Sequence, residues 1–392
     1  MSHSEPWLDD PLGSIIGPER VAHFFEHVYE REALITLHNQ PQRFAGLLTI
    51  DDVDRIVTGL DLKQGQLALA DASRELKTEE FIDDAGYIDR GAVADLYRRG
   101  ATIILNQAHQ FTPSLARLCR GLEHTFSSHV QTNTYLTPPN AQGFRTNYDN
   151  HDVLVIQVEG EKAWRLYDKP IDTPYRGEGF EPDKYQAGEL KQEFVLKAGD
   201  CAYVPRGLMH DASTSGEHPS LHVTVGLITR TWADLMLEAV SEAALRSPEL
   251  RRSLPAGFAR SGFNRDGARK QFAEVMQTIA REAQLDPALD LMVDTFIRSR
   301  GADNRNAINE GAHGPGIEES FQARANAPFR IADDAGDVVI ICPGGELTFA
   351  AESLADVQLA LSGKPFTLAD IRSAKPTALI ASLLAYGLVT RV

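Results

Sequence analysis

The sequence is poor in cysteine, with only Cys119, Cys201 and Cys342 in 392 residues. These three are far apart and odd in number, which excludes a disulfide framework or a CxxC zinc site and favours a reducing cytoplasm. Positive charge is also scarce: 39 basic against 55 acidic residues give a net charge of -16. Such a field argues against nucleic acid or anionic membrane as a partner. No apolar run approaches the roughly 20 residues of a membrane span, so we expect a soluble cytoplasmic protein.

The composition is that of a folded globular protein, with 43% hydrophobic and 24% charged residues. A chain of 392 residues is too long for one ordinary core, so two or three domains are expected. Apolar residues recur at helical spacing between Glu19 and Tyr29. Thr49 and Asp52 resemble a capping box that begins a second helix. The first hundred residues therefore predict mixed helices and short strands.

Three further patterns divide the rest of the chain. From Gln131 to about Arg230, short β-rich segments alternate with Gly and Pro turns, which is typical of a barrel or jelly roll. Three helical stripes follow, up to Ile297, and then a Gly-rich polar linker at Gly301–Gly316. A hairpin, two helices and a closing strand end the chain. These patterns predict domains at 1–230, 231–316 and 317–392, the last with winged-helix proportions.

Polar side chains cluster in "NYDNHD", at the start of the β-rich region. If this segment is a strand, Asn147, Asp149 and His151 project to one face. His210 follows in "GDCAYVPRGLMHDAST", after a short apolar strand and a turn. Neighbouring antiparallel strands could bring Asp149 and His210 to one metal ion. This is the geometry of a 2-His-1-carboxylate site if a second imidazole is supplied.

Two segments together resemble a known family. "TNTYLTPPNAQGF...NYDNHDVLVIQVEGEKAWRLY" and "GDCAYVPRGLMHDAST...SLHVTVGL" are similar to the JmjC cupin oxygenases of the ribosomal-oxygenase group. Those proteins hydroxylate protein side chains with Fe(II), O2 and 2-oxoglutarate. The resemblance implies an α+β chain: a double-stranded β-helix, then a helical dimerisation region and a C-terminal winged-helix module. It also implies a homodimer.

The metal motif of this family is H-x-D followed by a distant H, and it falls here on Asn147, Asp149 and His210. The first ligand departs from the motif. Asn147 offers a neutral amide oxygen, which is a poorer donor to Fe(II) than imidazole. His151 is a possible substitute only if the strand slides or bulges, because it does not hold a ligand's place in the motif.

The resemblance also indicates a cosubstrate pocket. Lys162 in "GEKAW" falls where the family places the basic residue that pairs with the distal carboxylate of 2-oxoglutarate. Asn133 and Tyr135 match positions that line the same pocket. Gly226 stands where some relatives have a serine. His222 is a possible site residue, although a lone histidine in such a strand is more often a hydrogen-bonded core residue.

Three functions remain open. The first is an oxygenase that hydroxylates a side chain of a protein or peptide; the second is a degenerate relative that binds a peptide or partner without turnover. The third is a cupin with another divalent metal, such as Mn(II) or Zn(II). An acidic chain suits a basic partner, such as a ribosomal protein or a cationic peptide. From Arg324 onward six basic and seven acidic residues occur, which argues against a nucleic-acid-binding winged helix.

Overall fold

The computed structural model describes residues 6–175, 177–311 and 313–392. They form two compact units, which divide between Thr229 and Arg230. Within these described ranges, no helix is long and apolar enough to cross a bilayer.

The described residues of the first unit form ten strands in two antiparallel sheets. The large sheet has seven strands in the order β1-β8-β5-β10-β4-β3-β2, and the small sheet has three in the order β7-β6-β9. The strands are β1 Leu34–Thr36, β2 Leu67–Ala70, β3 Thr102–Leu105, β4 His129–Thr137, β5 Asp152–Glu159, β6 Glu161–Leu166, β7 Gln192–Lys197, β8 Cys201–Val204, β9 His210–Ser213 and β10 Ser220–Ile228. Non-consecutive neighbours such as β5 and β10 are typical of a jelly roll rather than a meander.

The α-helices that the structure describes beside these sheets are α1 Pro6–Asp9, α2 Pro11–Ile16, α3 Val21–His23, α4 Ile50–Gly59, α5 Arg90–Arg98 and α6 Pro113–Phe126. The capping box predicted at Thr49 and Asp52 is confirmed at the start of α4. The helical spacing predicted from Glu19 to Tyr29 is confirmed, but the helix is not a regular α-helix. The chain forms a 3-10 turn, then α3, and then a π-helical turn in which Phe24 is buried edge-on against Tyr203.

The two faces of the large sheet have different roles, because successive side chains of a strand point to opposite sides. On β10, Leu221, Val223 and Val225 pack into the main core with residues of α2, α4 and α6. His222 and Thr224 lie on the other face, which lines a cavity. Smaller apolar clusters, such as Val155 with Trp164, join strands of the two sheets.

A buried ion pair fixes the turn after β8. Asp152, at the start of β5, is fully buried and accepts hydrogen bonds from the Tyr203 hydroxyl at 2.7 Å and from Arg206 Nη1 at 2.9 Å. Arg206 also pairs with Glu30 at 2.6 Å. The turn at Pro205–Gly207 is therefore anchored to β5 a few residues before His210 begins β9.

The second unit contains helices α7 to α12 and strands β11 to β16. The helices are α7 Trp232–Arg246, α8 Asp266–Glu282, α9 Leu285–Arg298, α10 Ala307–Gly311, α11 Leu354–Ala360 and α12 Pro376–Ala385. The strands are β11 Ser320–Ala323, β12 Arg330–Asp334, β13 Asp337–Cys342, β14 Gly345–Phe349, β15 Phe366–Thr367 and β16 Val389–Arg391. They pair as β12-β13-β14 and β15-β11-β16.

Most elements predicted for this unit are present. The three helical stripes correspond to α7, α8 and α9, and the hairpin to β12 and β13. The predicted linker includes residue 312, which lies outside the described residues, and α10 occupies part of its described portion. The helix predicted from Thr367 is wrong: a 3-10 turn forms there, closed by a capping box with Asp370.

We predict that Arg206→Met lowers the free energy of unfolding of the first unit by about 3–5 kcal/mol, because it leaves the Asp152 carboxylate buried without its cation. Chemical denaturation would measure this loss. The control is Arg90→Met, whose pair with Asp61 is exposed to solvent and contributes about 0–1 kcal/mol. Equal, small losses for both variants would contradict the anchoring role of Arg206.

Candidate functional site

A cavity of about 240 Å³ lies between the two sheets of the first unit. Its volume is slightly below the roughly 300–1,000 Å³ typical of drug-sized ligands, so it suits a small molecule. The large sheet contributes side chains from β4, β5 and β10, and the small sheet contributes β6 and β9. The lining residues are Thr102, Tyr135, Gly143, Phe144, Asn147, Asp149, Val153, Val155, Lys162, Trp164, His210, Asp211, Ala212, His222 and Thr224.

The segment predicted as one ligand-bearing strand is not a strand. Asn147 makes an isolated antiparallel bridge to His210, and β5 begins only at Asp152. Between them the chain crosses from the small sheet to the large one. The crossing is held by a hydrogen bond from the Gly207 amide to the Asp149 carbonyl at 2.9 Å. The expected alternation nevertheless holds here, because Tyr148 is buried away from the cavity against Phe180.

The three residues of the metal motif all line the cavity. Asn147 and His210 exchange both main-chain hydrogen bonds, at 3.0 and 2.8 Å. His210 Nε2 lies 3.6 Å from Asp149 Oδ2. The Leu208 carbonyl lies 3.0 Å from His210 Nδ1, and a carbonyl only accepts, so Nδ1 carries the proton. The lone pair of Nε2 is then available to a metal ion beside the Asp149 carboxylate.

His151 is not brought into this group. Its ring lies against the backbone of Gly226: a Cβ atom there would lie 2.8 Å from His151 Cδ2 and Nε2. The residue does not line the cavity. Because β5 starts one residue later, His151 is held at the start of the strand, and Gly226 provides the space for its ring.

Lys162 lies inside the protein, with 4% of its surface exposed. Its Nζ donates to Thr137 Oγ1 at 2.9 Å, and Thr102 Oγ1 donates to the same oxygen at 3.1 Å. Burial lowers the pKa of Lys162 to about 7, and no carboxylate in the described ranges pairs with it. A buried amine without a counter-ion favours an anionic ligand.

Tyr135 and His222 form a flat wall of the cavity. Their rings are parallel, with centroids 4.7 Å apart. Burial raises the pKa of Tyr135, so its hydroxyl stays protonated. Asn133 lies two residues earlier on the same face of β4, where it accepts a hydrogen bond from the Gln107 amide at 3.0 Å. It is not among the residues that line the cavity.

Sequence reasoning missed several cavity residues. Thr137, which holds Lys162, lies two residues after Tyr135 on β4, so strand alternation could have indicated it. Thr102 comes from β3, and no sequence signal connects it to the site. Phe144, 45% exposed, contacts Tyr135 edge-on and was not singled out. Trp164 on β6 also lines the cavity.

The site has few strong metal ligands. No group of three or more His, Cys, Asp or Glu residues within the described part of the chain could hold a metal ion. This agrees with the sequence, since Asn147 takes the place of the third such residue. The donor set of the metal motif therefore consists of the Asp149 carboxylate, the His210 imidazole and the Asn147 amide oxygen.

Known proteins are similar to this chain in part of its sequence and in fold. Residues 104–235 match the JmjC domain family. An Escherichia coli ribosomal oxygenase, YcfD, solved in complex with cobalt and 2-oxoglutarate, has a similar fold with a TM-score of 0.53. That alignment covers 94% of this chain and 97% of YcfD at 12% identity. The chain therefore contains a segment, residues 104–235, that is similar to the JmjC domain.

Its curated relatives include ribosomal oxygenases. Ribosomal oxygenase 1 of Bos taurus is 31% identical over 301 residues, which are 72% of this chain and 45% of the relative. The bifunctional lysine-specific demethylase and histidyl-hydroxylase NO66 of Drosophila yakuba is 30% identical over 290 residues, 71% of this chain and 42% of the relative. The chain thus spans a little under half the length of these curated relatives.

We predict that Lys162→Met stabilises the protein in the absence of ligand. Because the folded-state pKa of Lys162, about 7, is below its ordinary value of 10.5, burying the charged amine costs most below pH 7. This cost falls as pH rises from 7 to 10.5, and it vanishes above that range. The midpoint of thermal unfolding of Lys162→Met should therefore be several degrees above that of the wild type at pH 6. This difference should decrease as the pH rises toward 10.

The exposed Lys197→Met is the matched control, because the Lys197 side chain is 71% exposed. The thermal unfolding midpoint of Lys197→Met should equal that of the wild-type protein at each pH. A stability difference between Lys162→Met and the wild type that does not depend on pH would contradict a lowered pKa of Lys162.

Proposed function

We propose that this protein is an oxygenase that uses Fe(II) and 2-oxoglutarate to hydroxylate a side chain of a protein or peptide. The observation that carries the proposal is the convergence of Asp149 and His210, 3.6 Å apart, in a cavity that also contains the buried amine of Lys162. The relatives named ribosomal oxygenase support the same reaction class.

The donor set fits a divalent ion held more weakly than in a site with two imidazoles. Asp149 would supply a carboxylate oxygen, His210 its Nε2, and Asn147 an amide oxygen. Imidazole suits iron and zinc, whereas carboxylate and carbonyl oxygens also suit manganese. The set therefore does not select strongly among these metals, and Mn(II) or Zn(II) could occupy it in place of iron.

The cavity also fits 2-oxoglutarate. Lys162 is a buried amine with one hydroxyl partner, and a distal carboxylate would supply its counter-ion. The neighbouring Tyr135 stays protonated, so it can donate to a carboxylate oxygen. Asn133 stays a prediction as a cosubstrate residue, and its contact with Gln107 favours a role in supporting the wall.

With iron bound, the site would couple loss of carbon dioxide from 2-oxoglutarate to hydroxylation of a C–H bond. One oxygen atom of O2 would enter the hydroxyl group and the other would enter succinate. The chain itself positions the reactants. Lys162 fixes the far end of the cosubstrate, and the Leu208 carbonyl holds the His210 ring. Trp164 and Val155 form an apolar wall that excludes water.

A basic protein, such as a ribosomal protein or a cationic peptide, is the substrate class that we propose. The net charge of -16 would steer such a partner toward this chain. Phe144 is 45% exposed while it lines the cavity, so it offers an apolar contact next to the site.

A second candidate function is a binding module without turnover. The absence of a third strong metal ligand in the described part of the site favours it. In that case Lys162 would still select a small anion or an acidic peptide terminus, but Asp149 and His210 would remain as a partly exposed polar pair without a metal.

For the second unit we propose a helical dimerisation region, at about 231–316, and a winged-helix-like module at 317–392. Helix α8 has no buried residue, and its large apolar side chains Phe272 and Met276 are 67% and 47% exposed. A neighbouring groove of about 720 Å³ is lined by Leu254, Phe258, Phe272 and other side chains. Such a contiguous exposed apolar surface favours cover by a second copy of the chain.

We predict that Asn147→His raises both the affinity for Fe(II) and the rate of succinate formation. An imidazole replaces an amide oxygen, so metal affinity should increase by about an order of magnitude or more. Purified protein with Fe(II), ascorbate and 2-oxoglutarate would be assayed for succinate, and calorimetry would give the metal affinity.

His210→Ala is the negative control, and it should abolish metal-dependent succinate. Wild-type turnover above this control supports the oxygenase. No turnover and no metal binding in the wild type would favour the binding module. An Asn147→His variant that still binds no metal would contradict the assignment of the metal site.

A further prediction concerns the dimer. Phe272→Glu combined with Met276→Glu should shift the protein from dimer to monomer, because two charges would be placed in an apolar interface. Light scattering after size exclusion would report the mass. Gln277→Glu, also exposed on α8, is the matched control; a wild-type protein of monomer mass would contradict the proposal.

A further inference from the structure

His222 is a polar side chain of the cavity whose hydrogen-bonding capacity is not fully used. It is 3% exposed and lies among the lining residues. Its Nδ1 is buried and has no hydrogen-bond partner in the part of the chain that the structure describes. Buried polar groups in proteins are nearly always paired, so an unpaired one at a cavity indicates a bound group or a functional role.

The local backbone directs this ring. The pairing of β10 with β5 shifts register between Leu221 and His222. Such bulges re-aim a side chain and are common beside functional sites. The His222 ring is parallel to Tyr135 at 4.7 Å and nearly perpendicular to Trp164 at 5.5 Å. These two contacts fix the plane of the imidazole before any ligand binds.

The charge state of His222 complements that of Lys162. Burial, and secondly the charge of Lys162, lower the pKa of His222 well below its ordinary value. The ring is therefore neutral and has one N–H donor. A neutral donor next to an ammonium group adds a hydrogen bond to an anion without like-charge repulsion.

We infer that His222 is a cosubstrate-binding residue that donates a hydrogen bond to the distal carboxylate of 2-oxoglutarate, beside Lys162. The inference rests on the proposed function, since it assigns a further contact to the same ligand. A carboxylate has two oxygens, so one can pair with the Lys162 amine while the other accepts from the imidazole. The two donors together would distinguish a dicarboxylate from a monocarboxylate of equal length.

The competing explanation is that His222 only packs against Tyr135 and Trp164. The two roles differ in what removal of the N–H does to different ligands. Loss of the hydrogen bond lowers the affinity only for ligands that have the distal carboxylate. A disturbed cavity wall lowers the affinity for all ligands of that length.

The test measures binding rather than turnover. Calorimetry on the full chain with Zn2+, without oxygen, would compare 2-oxoglutarate with 2-oxopentanoate, which has the same length and lacks the distal carboxylate. His222→Leu should lower the affinity for 2-oxoglutarate by about 10- to 100-fold, because hydrogen bonds to charged groups are stronger than those between neutral groups. Binding of 2-oxopentanoate should stay within about twofold, and His222→Gln, which keeps an N–H, should recover part of the loss.

Each other result overturns the inference. An unchanged affinity of His222→Leu for 2-oxoglutarate, or an equal loss for both acids, would show that His222 is a packing residue. The affinity for Zn2+ alone, measured in each variant, verifies that the site is folded. A wild-type protein that binds Zn2+ but neither acid would overturn the proposed function as well, so the two failures are distinguishable.

Discussion

Asn147 and His210 exchange both of their main-chain hydrogen bonds, and the candidate metal site depends first on this bridge. It holds a segment that otherwise has no regular structure next to the first residue of β9. Asp149, two residues further on, is then placed 3.6 Å from the His210 imidazole. The buried pair of Asp152 and Arg206 fixes the same two chain segments a few residues away. Two independent anchors therefore set the distance between the carboxylate and the imidazole.

The cavity combines groups that reduce stability with groups that organise a ligand. A buried lysine with one hydroxyl partner and a histidine with an unpaired nitrogen are both costly in the folded protein. Both lie at one part of the cavity, whereas Asp149 and His210 belong to the part that we propose as the metal site. A small dicarboxylate that is chelated at one end and paired at the other would relieve the cost of burying Lys162. Such a separation of roles is consistent with a metal site that has lost one imidazole while the cosubstrate pocket has kept its donors.

Much of the fold followed from the sequence. The capping box at Thr49, the helical stripes of α7 to α9 and the turn-rich strands before residue 230 all depend on local periodicity and on turn chemistry. Tertiary contacts modified two local predictions. The helix after Glu19 forms, but it changes from 3-10 to α to π geometry where Phe24 packs on Tyr203. The strand predicted through Asn147 does not form, because Asn147 pairs with β9 before the chain crosses to the large sheet.

By itself the sequence determined which residue types are present: an asparagine in a metal motif, a carboxylate and a histidine 61 residues apart, and a lysine in a β-rich region. It also determined the alternation that puts Tyr135 and Thr137 on one face of β4. Only the tertiary structure decided that His151 rests on Gly226 outside the cavity, that Thr137 holds Lys162, and that His222 has an unpaired nitrogen. These facts depend on contacts between strands far apart in the chain. Local periodicity specifies a face of a strand, but it does not specify what the opposite sheet places in front of it.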